Sequence, residues 1–347
     1  MCELSHPGGE ACGNQVVASS EADIVALAAC SSFCGSLTVS GISSLTAVAL
    51  PDLQSLTGTI KIASNPHLAT LAFNSLQSSI GSITLYNNTL LSVVNIPSLK
   101  TVNTLEIVTA PRLRQLSLAN VQNINSFKKA TDIGISNNKF LKTIEIPGLN
   151  SISSRLIVAA NKLLEGKGDG ASLRLSNLTS VSNCTLRHLT DLQLLSLSVV
   201  SSSLSFDETN LKLITTPQLK TVGQTLSIAS NNHLSNISFS ELTSIGGALL
   251  IANNTELTSV NGFAKLKDVL GVLNMRGDFA NVSLPEVSSV QGGMSILSSS
   301  KDFDCSILSK VKASARGKTV SVSLMTTKQG AAWTTVAVLS TLASYAL

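Results

Sequence analysis

The feature that most constrains this chain is an internal repeat of about 23 residues, which recurs through most of its 347 residues. The segments GTIKIASNPHLATLAF (58–73) and QTLSIASNNHLSNISF (224–239) show its form: short apolar runs separated by Ser, Thr, Asn and Gly. Such runs are typical of short strands joined by tight turns. Because one repeat cannot bury its own apolar face, the pattern predicts a solenoid of stacked coils.

The first apolar position of each repeat, which we call its marker, indicates where the first strand of a coil begins. Successive markers are separated by 20 to 28 residues, so about twelve coils are expected. The predicted fold class is an all-β solenoid, a right-handed parallel β-helix or a leucine-rich-repeat-like receptor L-domain. The markers are Leu37, Ile60, Ile83, Leu105, Ile133, Leu156, Cys184, Leu204, Leu226, Leu249, Leu273 and Met294.

An asparagine recurs five residues after many markers. A buried Asn at a tight turn can bond backbone N–H and C=O groups of its own and neighbouring coils, so we predict a structural Asn ladder. Ala110, Leu189 and Thr209 interrupt the ladder, and we expect their coils to turn differently. The predicted ladder residues are Asn65, Asn88, Asn138, Asn161, Asn231 and Asn254.

Six Asn-X-Ser/Thr sequons are candidate N-glycosylation sites. Asn87 and Asn253 each precede a ladder residue, so they should point outward if the ladder points inward. This makes them the best-supported sites. The candidates are Asn87, Asn177, Asn183, Asn236, Asn253 and Asn281.

The first 34 residues hold four of the six cysteines, Cys2, Cys12, Cys30 and Cys34. This density predicts a disulfide-stapled N-terminal cap in an oxidising compartment, with the pairing left open by the spacing. Residues 20–29 predict a short helix, with Ser20 and Asp23 forming a capping-box-like pair. Of the remaining cysteines, Cys184 is expected to be a buried free thiol that does not bond to Cys305.

The last 17 residues, 331–347, carry no charge. A short apolar tail of this kind predicts a glycosylphosphatidylinositol (GPI) attachment signal, with a tail-anchor helix or an apolar last strand as alternatives. Ser321 and Gly330 are the candidate attachment residues. The first fifteen residues show no secretory signal peptide. The predicted organisation is a cap at 1–34, solenoid repeats at 35–310, a polar linker at 311–330 and the attachment signal at 331–347.

Composition and motifs argue against several functions. The net charge is only +4 and is dispersed, which is unlike a nucleic-acid-binding protein. No phosphate loop, nucleophile elbow or metal-ligand cluster is present, so neither a cofactor nor a metal is expected. The acids Asp191, Asp207, Asp268 and Asp278 do not align across coils as a glycosidase pair would.

Basic residues over the fourth and fifth coils could contact an anionic wall polymer or phospholipid headgroups. Scattered solubilising charge is the simpler interpretation. The residues are Arg112, Arg114, Lys128, Lys129, Lys139 and Lys142.

The cap ACSSFCGSLTVSG (29–41), the coils quoted above, the closing FDCSIL (303–308) and the apolar tail together resemble fungal GPI-anchored cell-wall organisation proteins with receptor L-domain-like repeats. That resemblance implies a non-enzymatic, glycosylated protein of the plasma-membrane outer face or cell wall. Its partners would be wall polysaccharide or surface proteins, with a lipid link to the membrane. The alternatives are a surface recognition module for a peptide or glycan, and a secreted β-helix enzyme acting on polysaccharide.

Overall fold

The structure is a computed structural model that describes residues 12–13, 15–118, 129–159, 170–303, 320–329 and 332–335. The chain divides into two compact units. The first comprises Met1–Val181 with His188–Gln193, and the second comprises Ser182–Arg187 with Leu194–Leu347. Each unit is built from short strands, and one coil contributes up to three of them.

In the first unit a helix, α1 (Glu21–Ala26), is followed by strands that pair in parallel. The strands of this unit are β1 (Val16–Ala18), β2 (Ser32–Phe33), β3 (Leu37–Ser40), β4 (Ala47–Ala49), β5 (Ser55–Leu56), β6 (Ile60–Ala63), β7 (Thr70–Ala72), β8 (Ser78–Tyr86), β9 (Val93–Asn95), β10 (Thr101–Val108), β11 (Gln115–Ser117), β12 (Lys129–Ser136), β13 (Thr143–Glu145), β14 (Ser151–Ala159), β15 (Ala171–Arg174) and β17 (Leu189–Gln193).

The second unit holds most of β16 (Ser180–Arg187) and all later strands. These are β18 (Val199–Val200), β19 (Leu204–Asp207), β20 (Leu213–Thr215), β21 (Thr221–Val222), β22 (Leu226–Ala229), β23 (Asn236–Ser238), β24 (Ser244–Ile245), β25 (Leu249–Ala252), β26 (Ser259–Val260), β27 (Asp268–Val269), β28 (Leu273–Gly277), β29 (Asn281–Val282), β30 (Ser289–Val290), β31 (Met294–Ser298), β32 (Val320–Gln329) and β33 (Ala332–Thr335).

Every coil presents the same three faces to its neighbours. The first face contains the marker strands, the second face follows it along the chain, and the third face precedes the next marker. In the first unit these faces are represented by β3–β6, β4–β7 and β2–β5, and in the second by β22–β25, β20–β23 and β21–β24. All of these pairs are parallel, as expected when identical coils stack in register.

The markers pair with one another in the predicted order. Leu37 pairs with Ile60 and Ile60 with Ile83 in the first unit, and Leu226 pairs with Leu249 in the second. Every marker is at most 3% exposed. The core of each unit is therefore a set of columns of Leu, Ile, Val and Phe that run from coil to coil. The predicted parallel all-β solenoid is confirmed.

A left-handed residue ends the first-face strand in many coils, one position before the ladder position. The φ angles are 55° at Ser64 and 53° at Asn87. The coils with Ala110, Leu189 and Thr209 at the ladder position show the same conformation, with φ of 58°, 55° and 49° at the preceding residue. The coil of Ala110 keeps the turn of its neighbours, so the expectation that it turns differently is wrong. The coil of Leu189 does turn differently, because β17 begins at Leu189 itself with no intervening turn. The coil of Thr209 keeps the left-handed residue, but residues 209–212 do not form the tight turn seen at 89–90.

The N-terminal cap contains a disulfide between Cys12 and Cys30, and Cys34 is also disulfide-bonded. Cys2 lies outside the described residues. The helix is shorter than predicted, ending at Ala26 with Leu27 as its C-cap. The Asp23 carboxylate accepts hydrogen bonds from the backbone N–H groups of Ser19 and Ser20, which lower its pKa.

At the other end, β32 continues the first face, with Val320 paired in parallel to Met294. β33 then pairs antiparallel to β32. These strands lie in the segments predicted to be the linker and the attachment signal, whose boundaries stay predictions. Cys305 lies outside the described residues. No helix among the described residues has the length and apolar character needed to cross a membrane.

Glycines stack where coils approach most closely. A Cβ atom on Gly58 would lie within 3.0 Å of the carbonyl oxygen of Gly35, and one on Gly81 would meet Gly58 in the same way. Real Cβ atoms essentially never come this close to another heavy atom, so backbone would have to shift. Glycine is therefore required in this column because of the neighbouring coil.

We predict that Gly81→Ala lowers the free energy of unfolding by about 3 kcal/mol, because backbone must move to accept the methyl group. The matched control is Gly134→Ala, where the nearest atom to the new Cβ is 3.6 Å away, on the Glu106 side chain. Denaturant unfolding followed by circular dichroism compares them. Equal stability of the two variants would contradict the close stacking of Gly58 and Gly81.

Candidate functional site

The sequons occupy outward positions of the coils. Asn177, Asn183, Asn236, Asn253 and Asn281 are exposed, and Asn87 is half-buried. Asn236 and Asn281 lie in second-face strands, and Asn183 lies within β16. The other three lie between strands. Asn87 and Asn253 adopt the left-handed conformation just described, with the next residue buried. The Nδ2 atoms of two of the six donate hydrogen bonds: Asn87 to the Ser64 hydroxyl (3.3 Å) and Asn177 to the Pro147 C=O (2.8 Å).

Of the candidate attachment residues, Ser321 lies in β32 and pairs with Ser295. Gly330 lies outside the described residues.

The Asn residues of the first unit bond the turn of the preceding coil. Asn65 Oδ1 accepts from the Ile42 N–H (3.0 Å), and its Nδ2 donates to the Val39 C=O (3.1 Å). Asn88 repeats the arrangement one coil later, accepting from the Asn65 N–H (3.2 Å) and donating to the Ile62 C=O (2.9 Å). One buried amide thus satisfies both polar groups of a neighbouring turn.

The same contacts explain why a coil can lack its own Asn. Asn138 accepts from the Ala110 N–H (2.7 Å) and donates to the Ile107 C=O (3.0 Å). The turn at Ala110 is therefore completed from the next coil. Asn161 lies outside the described residues.

In the second unit Asn231 is fully buried, and its side chain forms hydrogen bonds with the preceding coil. It accepts from the Thr209 N–H (2.8 Å) and hydroxyl (2.6 Å), and it donates to the Phe206 C=O (3.0 Å). Its backbone N–H in turn donates to Asn254 Oδ1 (2.9 Å). This chain of bonds leaves no amide free to hold a ligand.

We predict that Asn231→Ala destabilises the protein by about 2–4 kcal/mol, because the buried Thr209 N–H and Phe206 C=O lose their partner. The neighbouring exposed residue Asn232 provides the control, and Asn232→Ala should stay within about 0.5 kcal/mol of the parent. Denaturant unfolding measures both. A loss below about 0.5 kcal/mol for Asn231→Ala would show that the ladder does not stabilise the fold.

Cys184 occupies a marker position, is fully buried, and is free. Desolvation raises the pKa of its thiol from 9.0 to about 12. The thiol is therefore neutral throughout the physiological range and is no candidate nucleophile.

We predict that the folded protein and a Cys184→Ala variant react identically with a thiol reagent at pH 8.5. They should differ by one thiol only after denaturation. Because the unfolded thiol ionises from about pH 9 and the folded one only near pH 12, stability from this site is present below pH 9 and lost above it. Reaction of Cys184 in the folded protein would contradict its burial.

Exposed charges on neighbouring coils pair with opposite charges. Arg174 lies between two acids of the second face, 3.2 Å from Glu145 and 3.6 Å from Asp191. The sequence pattern does not reveal this group, because insertions displace Glu145 and Arg174 from a fixed period. Asp191 lies two positions before Gln193, the register partner of Arg174. Further cross-coil ion pairs among the described residues are Arg187–Glu208, His233–Glu256 and Lys265–Glu241.

Histidines and acids are not assembled into a catalytic group among the described residues. The Asp191 carboxylate contacts Arg174 and the Ser172 hydroxyl, which accounts for its position. His67 Nδ1 contacts the Ser43 C=O at 2.6 Å, and His233 contacts Glu256. No cluster of three potential metal ligands occurs in the described part of the chain.

The fold and surface define a class: a parallel β-solenoid whose polar side chains mainly connect one coil to the next. Fungal proteins are among its relatives. The chain is 31% identical over 141 residues to sporulation-specific protein 2 of Saccharomyces cerevisiae, covering 41% of this chain and 28% of the relative. It is 30% identical over 149 residues to a cell surface GPI-anchored protein of Arthroderma benhamiae, covering 42% and 38%.

A third relative is the cell wall mannoprotein PST1 of Saccharomyces cerevisiae, 29% identical over 176 residues that cover 50% of this chain and 38% of the relative. The chain thus spans well under half the length of these relatives. No family model matches the chain, and no solved structure matches it significantly. The relatives confirm the predicted resemblance to fungal GPI-anchored cell-surface and cell wall proteins.

Proposed function

We propose that this chain is a non-enzymatic, GPI-anchored glycoprotein of the fungal cell surface that supports cell-wall organisation. The observation that carries the proposal is the combination of a stacked β-solenoid with relatives named as GPI-anchored, cell wall and sporulation-specific proteins. It would lie on the outer face of the plasma membrane or in the wall, linked through lipid to Ser321 or Gly330.

The placement of the sequons supports a glycosylated surface protein. Five of the six Asn side chains are exposed, and none is required by the buried ladder. The disulfide Cys12–Cys30 supports an oxidising compartment, since such bonds persist outside the cytosol.

A non-enzymatic role is supported by what the polar residues do. Buried Asn side chains complete turns, and the Glu145 and Asp191 carboxylates share Arg174. A glycosidase instead requires two carboxylates that face a bound sugar across a groove. Support of the wall would then come from a rigid, glycan-bearing surface.

The proposal predicts release from the cell surface. The full chain is expressed behind a verified signal peptide in a fungal host, and intact cells are treated with phosphatidylinositol-specific phospholipase. We expect release of a glycosylated form that lacks the tail, and secretion into the medium of a control that ends at residue 330. Retention of the full chain with its tail intact, or an intracellular unglycosylated product, would contradict the proposal.

The same samples test the glycan positions. Asn236→Gln and Asn281→Gln should each remove one glycosidase-sensitive step from the gel mobility, because both side chains are exposed on second-face strands. Asn232→Gln, which alters an exposed Asn outside any sequon, should leave the mobility unchanged. Unchanged mobility in both sequon variants would argue against glycans on the second face.

A further inference from the structure

One corner of the first unit concentrates four exposed cations, and two of them stack on adjacent coils. It lies between the first and second faces in the coils that begin at Leu105 and Ile133, and we call it the basic corner. Its members are the exposed residues Arg112, Arg114, Lys139 and Lys142. None of the four forms an ion pair within the part of the chain that the structure describes.

Two of these cations are stacked directly. The Lys142 N–H donates to the Arg114 C=O at 2.7 Å, which places the two residues at equivalent positions of adjacent coils. Coils in parallel register are about 4.8 Å apart, and like charges at that spacing repel each other. By contrast, Glu145 and Arg174, which are also register partners on adjacent coils, carry opposite charges and lie 3.2 Å apart.

Apolar groups accompany the charges. Leu90 is 37% exposed. It lies in the preceding coil, at the position equivalent to Arg112. Phe140 occupies the same position in the following coil and is half-buried, with Lys139 Nζ 5.1 Å from its ring centroid. The corner thus combines the planar guanidinium groups of Arg and the compact ammonium groups of Lys with apolar side chains. This combination suits anionic groups carried on sugar rings, whose C–H faces are apolar.

We propose that the basic corner binds an anionic polysaccharide, with Arg112, Arg114, Lys139 and Lys142 contacting its phosphate or carboxylate groups. The inference deepens the proposed function, because it names the class of wall component that the chain would contact. Binding relieves the repulsion between Arg114 and Lys142. Because every contact is exposed, affinity is modest and falls with ionic strength.

A linear polymer fits this corner better than a membrane does. The cations occupy the corner of only two coils, and acids lie on both adjoining faces, Glu106 in β10 and Glu145 in β13. A flat anionic bilayer large enough to contact the corner would also meet these acids. A single polymer chain can follow the cations without covering either face.

The test uses the purified full chain and a mannan carrying phosphate groups, with the same mannan without phosphate as the neutral ligand. Changing all four corner cations to Gln should weaken binding of the phosphorylated mannan at least tenfold. The control changes Lys212, Lys220, Lys267 and Lys301 to Gln, which removes the same net charge from other exposed positions. This control should bind within twofold of the parent.

A single substitution separates binding from folding. Lys142→Glu places an acid beside Arg114, so the melting temperature at low salt should not fall, whereas binding should weaken at least fivefold. Vesicles with and without phosphatidylinositol phosphates complete the comparison, and we expect the parent to prefer the polymer.

Four results would overturn the inference: no preference of the parent for phosphorylated mannan, equal losses in the corner and control variants, unchanged binding by Lys142→Glu, or binding to vesicles alone. None of these depends on lipid attachment or cell-surface release. Failure of the corner would therefore leave the proposed surface location standing, and failure of the release experiment would leave the corner to be judged by its own result.

Discussion

Parallel, in-register stacking of coils is the constraint on which the rest of this structure depends. Each strand finds its backbone partners in the coil before and the coil after, as Leu226 does with Leu204 and Leu249. A residue therefore lies close to the residue at the same position of the next coil. Apolar columns are stable in this arrangement because like side chains pack on like.

The same stacking restricts which residues can occupy turns, close contacts and charged positions. A turn leaves backbone groups that the stacked strands cannot satisfy, and the buried Asn of the following coil supplies both a donor and an acceptor. Glycine is needed where two coils come too close for a Cβ atom, as at Gly58 and Gly81. Opposite charges at equivalent positions attract, as those of Glu145 and Arg174 do, whereas the equal charges of Arg114 and Lys142 repel each other.

Much of the fold could be predicted because coils that stack in register require a repeated sequence pattern. The markers, their burial and their pairing order follow from an apolar residue that returns about every 23 positions. The prediction of a different turn failed at Ala110 because Asn138 of the following coil completes that turn. Which coil an amide reaches depends on side-chain direction across the stack, and one repeat considered alone does not show it.

The sequence by itself determined the parallel β-solenoid and the buried marker columns, because these depend on local alternation and period. Only the tertiary structure decided that Asn138 completes the turn at Ala110, that Arg174 joins two acids, and that Arg114 stacks on Lys142. The physical reason is that these contacts join residues of different coils. Insertions shift such residues by varying numbers of positions, so their alignment appears only once the backbone has placed each coil on the last.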